Sequence, residues 1–110
     1  MDHNAAAAAP ALKLTVLYGR PQDATAFEAY YLGTHMPLVA AAPPPARAEA
    51  ALALPSPDGS APPYYRLFEA WFDSPEHLAA VTTSPAWQRV VADVPNFATG
   101  GVTILLSRLG

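Results

Sequence analysis

The segment Tyr30-Tyr31-Leu32-Gly33-Thr34-His35-Met36-Pro37-Leu38 holds the residues best suited to proton chemistry in this chain. His35 is the one histidine followed by an apolar run, Met36-Pro37-Leu38-Val39; His3 lies near the start, and His77 falls on a polar helix face. An imidazole titrates close to neutrality. At the mouth of a cavity it shuttles a proton, or orients a carbonyl or hydroxyl, without any metal. The plainer alternative is a helix-end histidine bonded to the last carbonyls of its own helix and favoured there by the dipole. Tyr31 stands four residues before His35, the spacing at which helical side chains meet. Its phenol either binds a polar substrate oxygen or belongs to the core with a wet tip. No second His or carboxylate follows His35 at i+4, so the pattern supplies no metal-ligand pair.

Three more residues are candidates for substrate contact. Tyr18 ends an alternating apolar run on the same face as Leu14 and Val16, which makes it a candidate lining residue. Glu69 and Trp71 share one face of the clearest strand in the chain. A carboxylate there acts as a general base if an apolar cavity raises its pKa, or pairs with Lys13 or with an arginine of a second copy. Trp71 serves equally as core or interface. Asp93 and Asn96 read as capping and turn residues. Gly100-Gly101 has no strand before it and no helix after it, so it is a backbone turn and not a phosphate loop. No Ser/His/Asp set or nucleotide motif is evident.

The elements that must position these residues follow from periodicity and breakers. Residues 12–18 alternate as a strand, and Gly19-Arg20-Pro21 ends it. Asp23 caps a helix bearing Phe27, Tyr30, Tyr31 and Thr34, with Gly33 and Pro37 weakening or kinking it near His35. Residues 38–42 allow one further turn. Between the proline clusters at 43–45 and 62–63, residues 47–54 favour helix by alanine content. They nevertheless alternate, and predict an edge strand followed by a turn at Pro57-Asp58-Gly59. Residues 64–73 form a strand with aromatics on both faces, as in a central strand covered on both sides. Ser74 with Pro75 opens a second helix, which pauses at Ser84-Pro85 and resumes through Trp87, Val90, Val91 and Val94. Residues 102–109 form the last strand. The order β-α-β-β-α-β is that of an α+β ferredoxin-like fold built from two split βαβ halves. Its helices cover one sheet face, and a second copy of the chain is the economical cover for the other.

Composition narrows the function classes. The 110 residues suit one domain, expected over 12–110 after an Ala-rich tail of residues 1–11. A net charge of −3 with six Lys and Arg argues against nucleic acid, which demands a basic stripe. No apolar run approaches the roughly 20 residues that span a bilayer. Cysteine is absent, so disulfides and thiolate catalysis are excluded. A cytoplasmic enzyme or binding protein fits these totals.

From residue 12 to 109 the chain resembles the EthD family of the dimeric α/β-barrel superfamily. The matching stretches are Lys13-Leu14-Thr15-Val16-Leu17-Tyr18-Gly19, Phe27 with Tyr30-Tyr31, and Thr34-His35-Met36-Pro37-Leu38. Tyr64-Tyr65-Arg66, Glu69-Ala70-Trp71-Phe72-Asp73-Ser74 and Asn96-Phe97-Ala98-Thr99-Gly100-Gly101-Val102 follow in the same order. The Ala- and Pro-rich residues 43–63 depart from the family pattern. The resemblance implies a homodimer whose sheets close into a barrel, with a small-molecule cavity between sheet and helices in each subunit. It implies a small hydrophobic or aromatic ligand, lactones and ether-derived compounds included, in a catabolic or biosynthetic pathway. The expected chemistry is cofactor-free isomerisation, cyclisation or elimination, with His35 as proton carrier and Tyr18 and Tyr31 beside it. A non-catalytic accessory protein that holds a hydrophobic intermediate or supports a partner oxygenase is the alternative. Haem ligation by His35 is a third reading, since some members of the wider superfamily bind haem.

Overall fold

The computed structural model describes residues 9–110, so residues 1–8 of the expected tail lie outside the described part. The elements run β1 (Leu12–Tyr18), α1 (Ala24–Tyr30), a π-helical turn (Tyr31–His35), α2 (Met36–Ala41), β2 (Arg47–Leu52) and β3 (Arg66–Phe72). They continue with α3 (Pro75–Thr82), α4 (Pro85–Asp93), a 3-10 turn (Val94–Asn96) and β4 (Val102–Arg108). The strands form one antiparallel sheet in the order β2-β3-β1-β4, which is the ferredoxin-like arrangement. Ala11 prolongs the ladder, its N–H donating to Phe72 C=O at 2.9 Å.

Register assigns each strand residue to a face. Leu14 lies opposite Ala70 and Leu106, Val16 opposite Phe68 and Ile104, and Tyr18 opposite Arg66 and Val102. This face meets the helices and, with Phe27, Tyr31, Val81, Val90 and Phe97, forms the core. Lys13, Leu17, Leu67, Glu69, Trp71 and Leu105 occupy the outer face, because successive side chains of a strand alternate. β3 is central as its aromatic pattern predicts, with Arg66, Phe68, Ala70 and Phe72 buried and the alternate residues half-buried. β2 is an exposed edge and ends at Leu52, two residues short of the expected strand. Gly59, at φ 87°, completes the expected turn, and its N–H donates to Ser56 C=O at 2.8 Å.

The helices begin where their caps predict. Asp23 accepts from the Ala26 N–H at 3.0 Å, and Ser74 and Ser84 accept from the N–H groups of His77 and Trp87. The kink expected from Gly33 and Pro37 takes a specific form: the helix widens into a π turn, in which Met36 N–H donates to Tyr31 C=O. Pro37 has no N–H and would press on the carbonyl four residues back, so a wider turn relieves the conflict without ending the helix. His77 is no freely solvated side chain. Its Nδ1 accepts from the Asp73 N–H at 3.0 Å and its Nε2–H donates to Pro44 C=O at 3.1 Å, tying the chain after α2 to the start of α3.

Helix coverage stops short of β4. Val102, Ile104 and Leu106, on the helix-side face, are 40 %, 59 % and 58 % exposed. That gap leaves a cavity open along one side.

Candidate functional site

A cavity of about 350 Å³ lies between the sheet and the helices. Leu14, Val16, Phe68, Val102 and Ile104 form its floor, Met36 and Val39 come from α2, and Trp87, Val90 and Val91 from α4. The volume suits a small organic molecule. The lining holds no charged side chain. Thr82 also lines it, but its hydroxyl donates to Leu78 C=O at 2.8 Å within its own helix. The polar groups left belong to Tyr18, Tyr31, His35 and the indole of Trp87.

The π turn carries Tyr31 and His35 inward together, both buried, with ring centroids 5.7 Å apart and the planes nearly parallel. Phe97 packs against both rings, its centroid 4.5 Å from that of the imidazole and 5.7 Å from that of Tyr31. Tyr18 meets Tyr31 edge-on at 5.7 Å and Phe97 at 5.5 Å, so three of the expected residues converge around one aromatic cluster. Burial holds the Tyr18 phenol far above its ordinary pKa, reinforced by Tyr31 and Asp93 and opposed by Arg66. Burial likewise pushes Tyr31 up to about 12, against the pull of Arg66. Both phenols therefore stay protonated, and remain hydrogen-bond donors, across the neutral range. The Tyr31 hydroxyl is buried with no hydrogen-bond partner among the described residues.

His35 is not tied to the carbonyls of its own helix. Its Nδ1 lies 2.9 Å from Asp93 Oδ2, both side chains being almost fully buried. An ionised carboxylate only accepts, so Nδ1 carries the proton and, in the neutral ring, Nε2 carries the lone pair. No described residue bonds Nε2, and His35 lines the cavity. Asp93 Oδ1 is held in turn by the Tyr30 hydroxyl at 2.6 Å and Asn96 Nδ2 at 3.0 Å. Burial pushes the Asp93 carboxyl up, but hydrogen bonds from Tyr30, His35 and Asn96 outweigh it and hold its pKa below the ordinary value.

Asp93 and Asn96 thus do more than cap and turn. Sequence reasoning missed them as partners of His35 because 58 residues separate Asp93 from it and because both residue types are common at helix ends. The available signal was a carboxylate on the helix that packs beside α2. Tyr30 read only as one of the residues borne by that helix, and nothing in its spacing marked the role of its hydroxyl.

Glu69 and Trp71 do not join this group. Both lie on the outer face of the sheet, the face turned away from the cavity. Glu69 pairs with Lys13 at 3.0 Å, the structural reading of that carboxylate. Trp71 lies beneath the cations of Arg47 and Lys13, 4.7 and 5.8 Å from its ring centre. For haem, the cavity offers no Lys or Arg to meet the propionates, so the residues present do not fit that group. Among the described residues no three His, Asp, Glu or Cys side chains gather as a metal site, and no helix is long and apolar enough to cross a membrane.

Known proteins resemble this chain in sequence and in fold. A model of the EthD domain matches residues 20–101. An uncharacterized 11.0 kDa protein from the thcB-thcC intergenic region of Rhodococcus erythropolis is 39 % identical over 95 residues, covering 86 % of this chain and 91 % of the relative. The crystal structure of an ethyl tert-butyl ether degradation (EthD) family protein from Bacillus halodurans superposes with a TM-score of 0.82 at 26 % identity, over 91 % of this chain and 99 % of the other. At 14 % identity, a hydroxynitrile lyase from Passiflora edulis superposes with a TM-score of 0.70 over 93 % and 96 % of the two chains, a likeness of fold alone. Other solved proteins of the fold are described as dimeric and ferredoxin-like.

Proposed function

This chain belongs to the EthD domain family, and from that premise we propose that it carries out acid–base chemistry with its own side chains on a small, neutral, mostly apolar molecule. The observation that carries the reading is the His35–Asp93 pair at the wall of an otherwise hydrocarbon cavity. Asp93 fixes the tautomer and stabilises the imidazolium that forms when Nε2 takes a proton. Tyr18, held protonated, donates to a carbonyl or hydroxyl oxygen and offsets the charge that develops there. Tyr31 stacks on the imidazole and keeps its ring in place. A proton removed by Nε2 and returned at another atom gives isomerisation or cyclisation; one removed as a neighbouring group departs gives elimination. The absence of charge in the lining favours neutral aromatic, lactone or ether-derived substrates over ionised ones, since a buried unpaired charge is strongly disfavoured.

One observation favours the alternative, a non-catalytic accessory protein that holds a hydrophobic intermediate: the cavity is open between α4 and β4, where Val91 on the helix and Val102 and Ile104 on the strand are exposed hydrocarbon. A mouth of that kind passes an apolar molecule readily in both directions. The homodimer belongs to the proposal as well. What supports it is the outer face, where Leu17, Leu67, Trp71 and Leu105 lie beside the Lys13–Glu69 pair with no helix above them.

The test is chemical-shift perturbation with a panel of phenols, quinones, lactones and haem, on the wild type and on His35→Ala. Binding that moves resonances at residues 30–38 and at Asp93, and weakens in the variant, is the expected result. Binding indifferent to His35, or none with any compound, contradicts the catalytic assignment.

A further inference from the structure

The hydrogen bonds of Asp93 extend beyond His35 to a second depression, which shares Phe97 with the site. The Tyr30 hydroxyl, which donates to Asp93 Oδ1 at 2.6 Å, belongs to a part-buried ring that lines this shallower depression with Gln22, Asn96 and Thr99. The Tyr30 ring is already fixed by stacking on Phe97, 5.6 Å between centroids, so packing alone asks nothing of its hydroxyl. Asn96 Nδ2 donates to the same carboxylate oxygen at 3.0 Å and lies 3.4 Å from the Tyr30 hydroxyl. Each oxygen of Asp93 is thereby committed: Oδ2 to the imidazole in front, Oδ1 to the phenol and the amide behind.

We propose that Tyr30, with Asn96, is a positioning residue for the site: it holds the Asp93 carboxylate in the one orientation that aims His35 Nε2 at the cavity. The inference rests on the His35–Asp93 reading above and adds two residues that touch neither ligand nor imidazole. A carboxylate gripped by only one partner rotates about its last bond and offers Nδ1 either oxygen. Held from behind by a short charge-assisted bond, it offers one. The other titratable groups facing the imidazole do not share this function. Tyr31 stacks on it and Tyr18 borders the same cluster, while Arg66, behind Tyr31, is paired with Glu28. The bond runs in the sense the acidities require. Tyr30 is held above its ordinary pKa first by donating to Asp93, and Asp93 below its own, so the proton stays on the phenol.

The test compares Tyr30→Phe, Asn96→Ala and Asp93→Asn with the wild type, each checked for folding by its amide spectrum. Two readouts are followed: ¹⁵N shifts of His35, which report the tautomer, and the ¹³C titration of the Asp93 carboxyl. Tyr30→Phe keeps the ring and removes only the hydroxyl. It is expected to raise the Asp93 midpoint by about half a unit or more and to speed exchange of the His35 Nδ1 proton with water several-fold. Asn96→Ala is expected to do the same to a lesser degree. If Tyr30→Phe leaves both the titration and the tautomer unchanged while Asp93→Asn disturbs the tautomer, the pair stands and the positioning role is wrong. If Asp93→Asn leaves the tautomer unchanged as well, the His35–Asp93 pair itself is wrong.

Discussion

His35 and Asp93 lie 58 residues apart in the chain and 2.9 Å apart at their side chains, and that bond joins the turn between α1 and α2 to the end of α4 at the cavity wall. It depends on the π turn that brings His35 inward and on the 3-10 turn that follows α4, where Asn96 grips the same carboxylate.

The pair makes stability depend on pH at the acid end. The Asp93 pKa is lower folded than unfolded, so its contribution is complete above the unfolded value of about 4 and is lost as pH falls through the folded one. Glu28, its pKa lowered chiefly by its bond to Arg66, acts with the same sign. Urea midpoints measured from pH 6 to pH 2.5 should fall steadily at the acid end. Asp93→Asn should flatten part of that fall and lower stability at pH 7 by roughly 1–3 kcal/mol.

The two ion pairs that involve Arg66 and Arg47 should behave differently on truncation. Glu28 accepts from Arg66 Nε at 3.1 Å and from the Tyr65 hydroxyl at 2.9 Å, and Arg66 is buried on the core face of β3. Glu28→Ala leaves that guanidinium without its partner and should cost on the order of 1–3 kcal/mol in chemical denaturation. The Arg47–Glu49 pair is exposed on both sides, and Glu49→Ala should change stability by no more than about 0.5 kcal/mol.

Two glycine substitutions should have opposite signs. A Cβ at Gly100 would overlap the Arg20 carbonyl, backbone against backbone, where the loop before β4 crosses the end of β1. Gly100→Ala should lower the melting temperature sharply. Gly33 has open space around its Cβ position and lies in helical backbone, so Gly33→Ala should raise stability by about 0.5–1 kcal/mol.

The outer sheet face should hold two copies together. Trp71→Glu places a carboxylate in that face, next to Lys13 across one ladder and Arg47 across the other. Light scattering coupled to gel filtration should find a dimer for the wild type and a monomer for the variant. A wild-type monomer at micromolar concentration would remove the second copy from the account.

Much of this was legible in the residues themselves. Alternation and caps marked all four strands and the starts of α1 and α3, because signals such as Ser74-Pro75 are local and tertiary packing leaves them intact. β3, however, begins at Arg66, two residues after the expected start, and the pause at Ser84-Pro85 is the capped start of α4. Gly33 and Pro37 located the helix distortion, but not that it would be a π turn, since that choice depends on what the freed carbonyls meet. His35, Tyr18 and Tyr31 were found by type and spacing, and they do converge. Glu69 and Trp71 were set apart from them by strand parity alone: register with β1 places their side of β3 with Lys13 and not with Leu14. Asp93, Asn96 and the hydroxyl of Tyr30 were hidden because contacts between helices distant in sequence leave no periodic trace.

The role proposed for His35 is to move protons in this cavity. The most direct measurement is hydrogen–deuterium exchange at the α-carbon of a bound aryl ketone or lactone in D₂O, followed by ¹H NMR for the wild type and His35→Gln. Exchange should be accelerated by the wild type, and reduced by at least about 100-fold in His35→Gln while binding persists. Exchange that is equal in both proteins, or binding with no acceleration in the wild type, would contradict that role and leave the cavity as a carrier site.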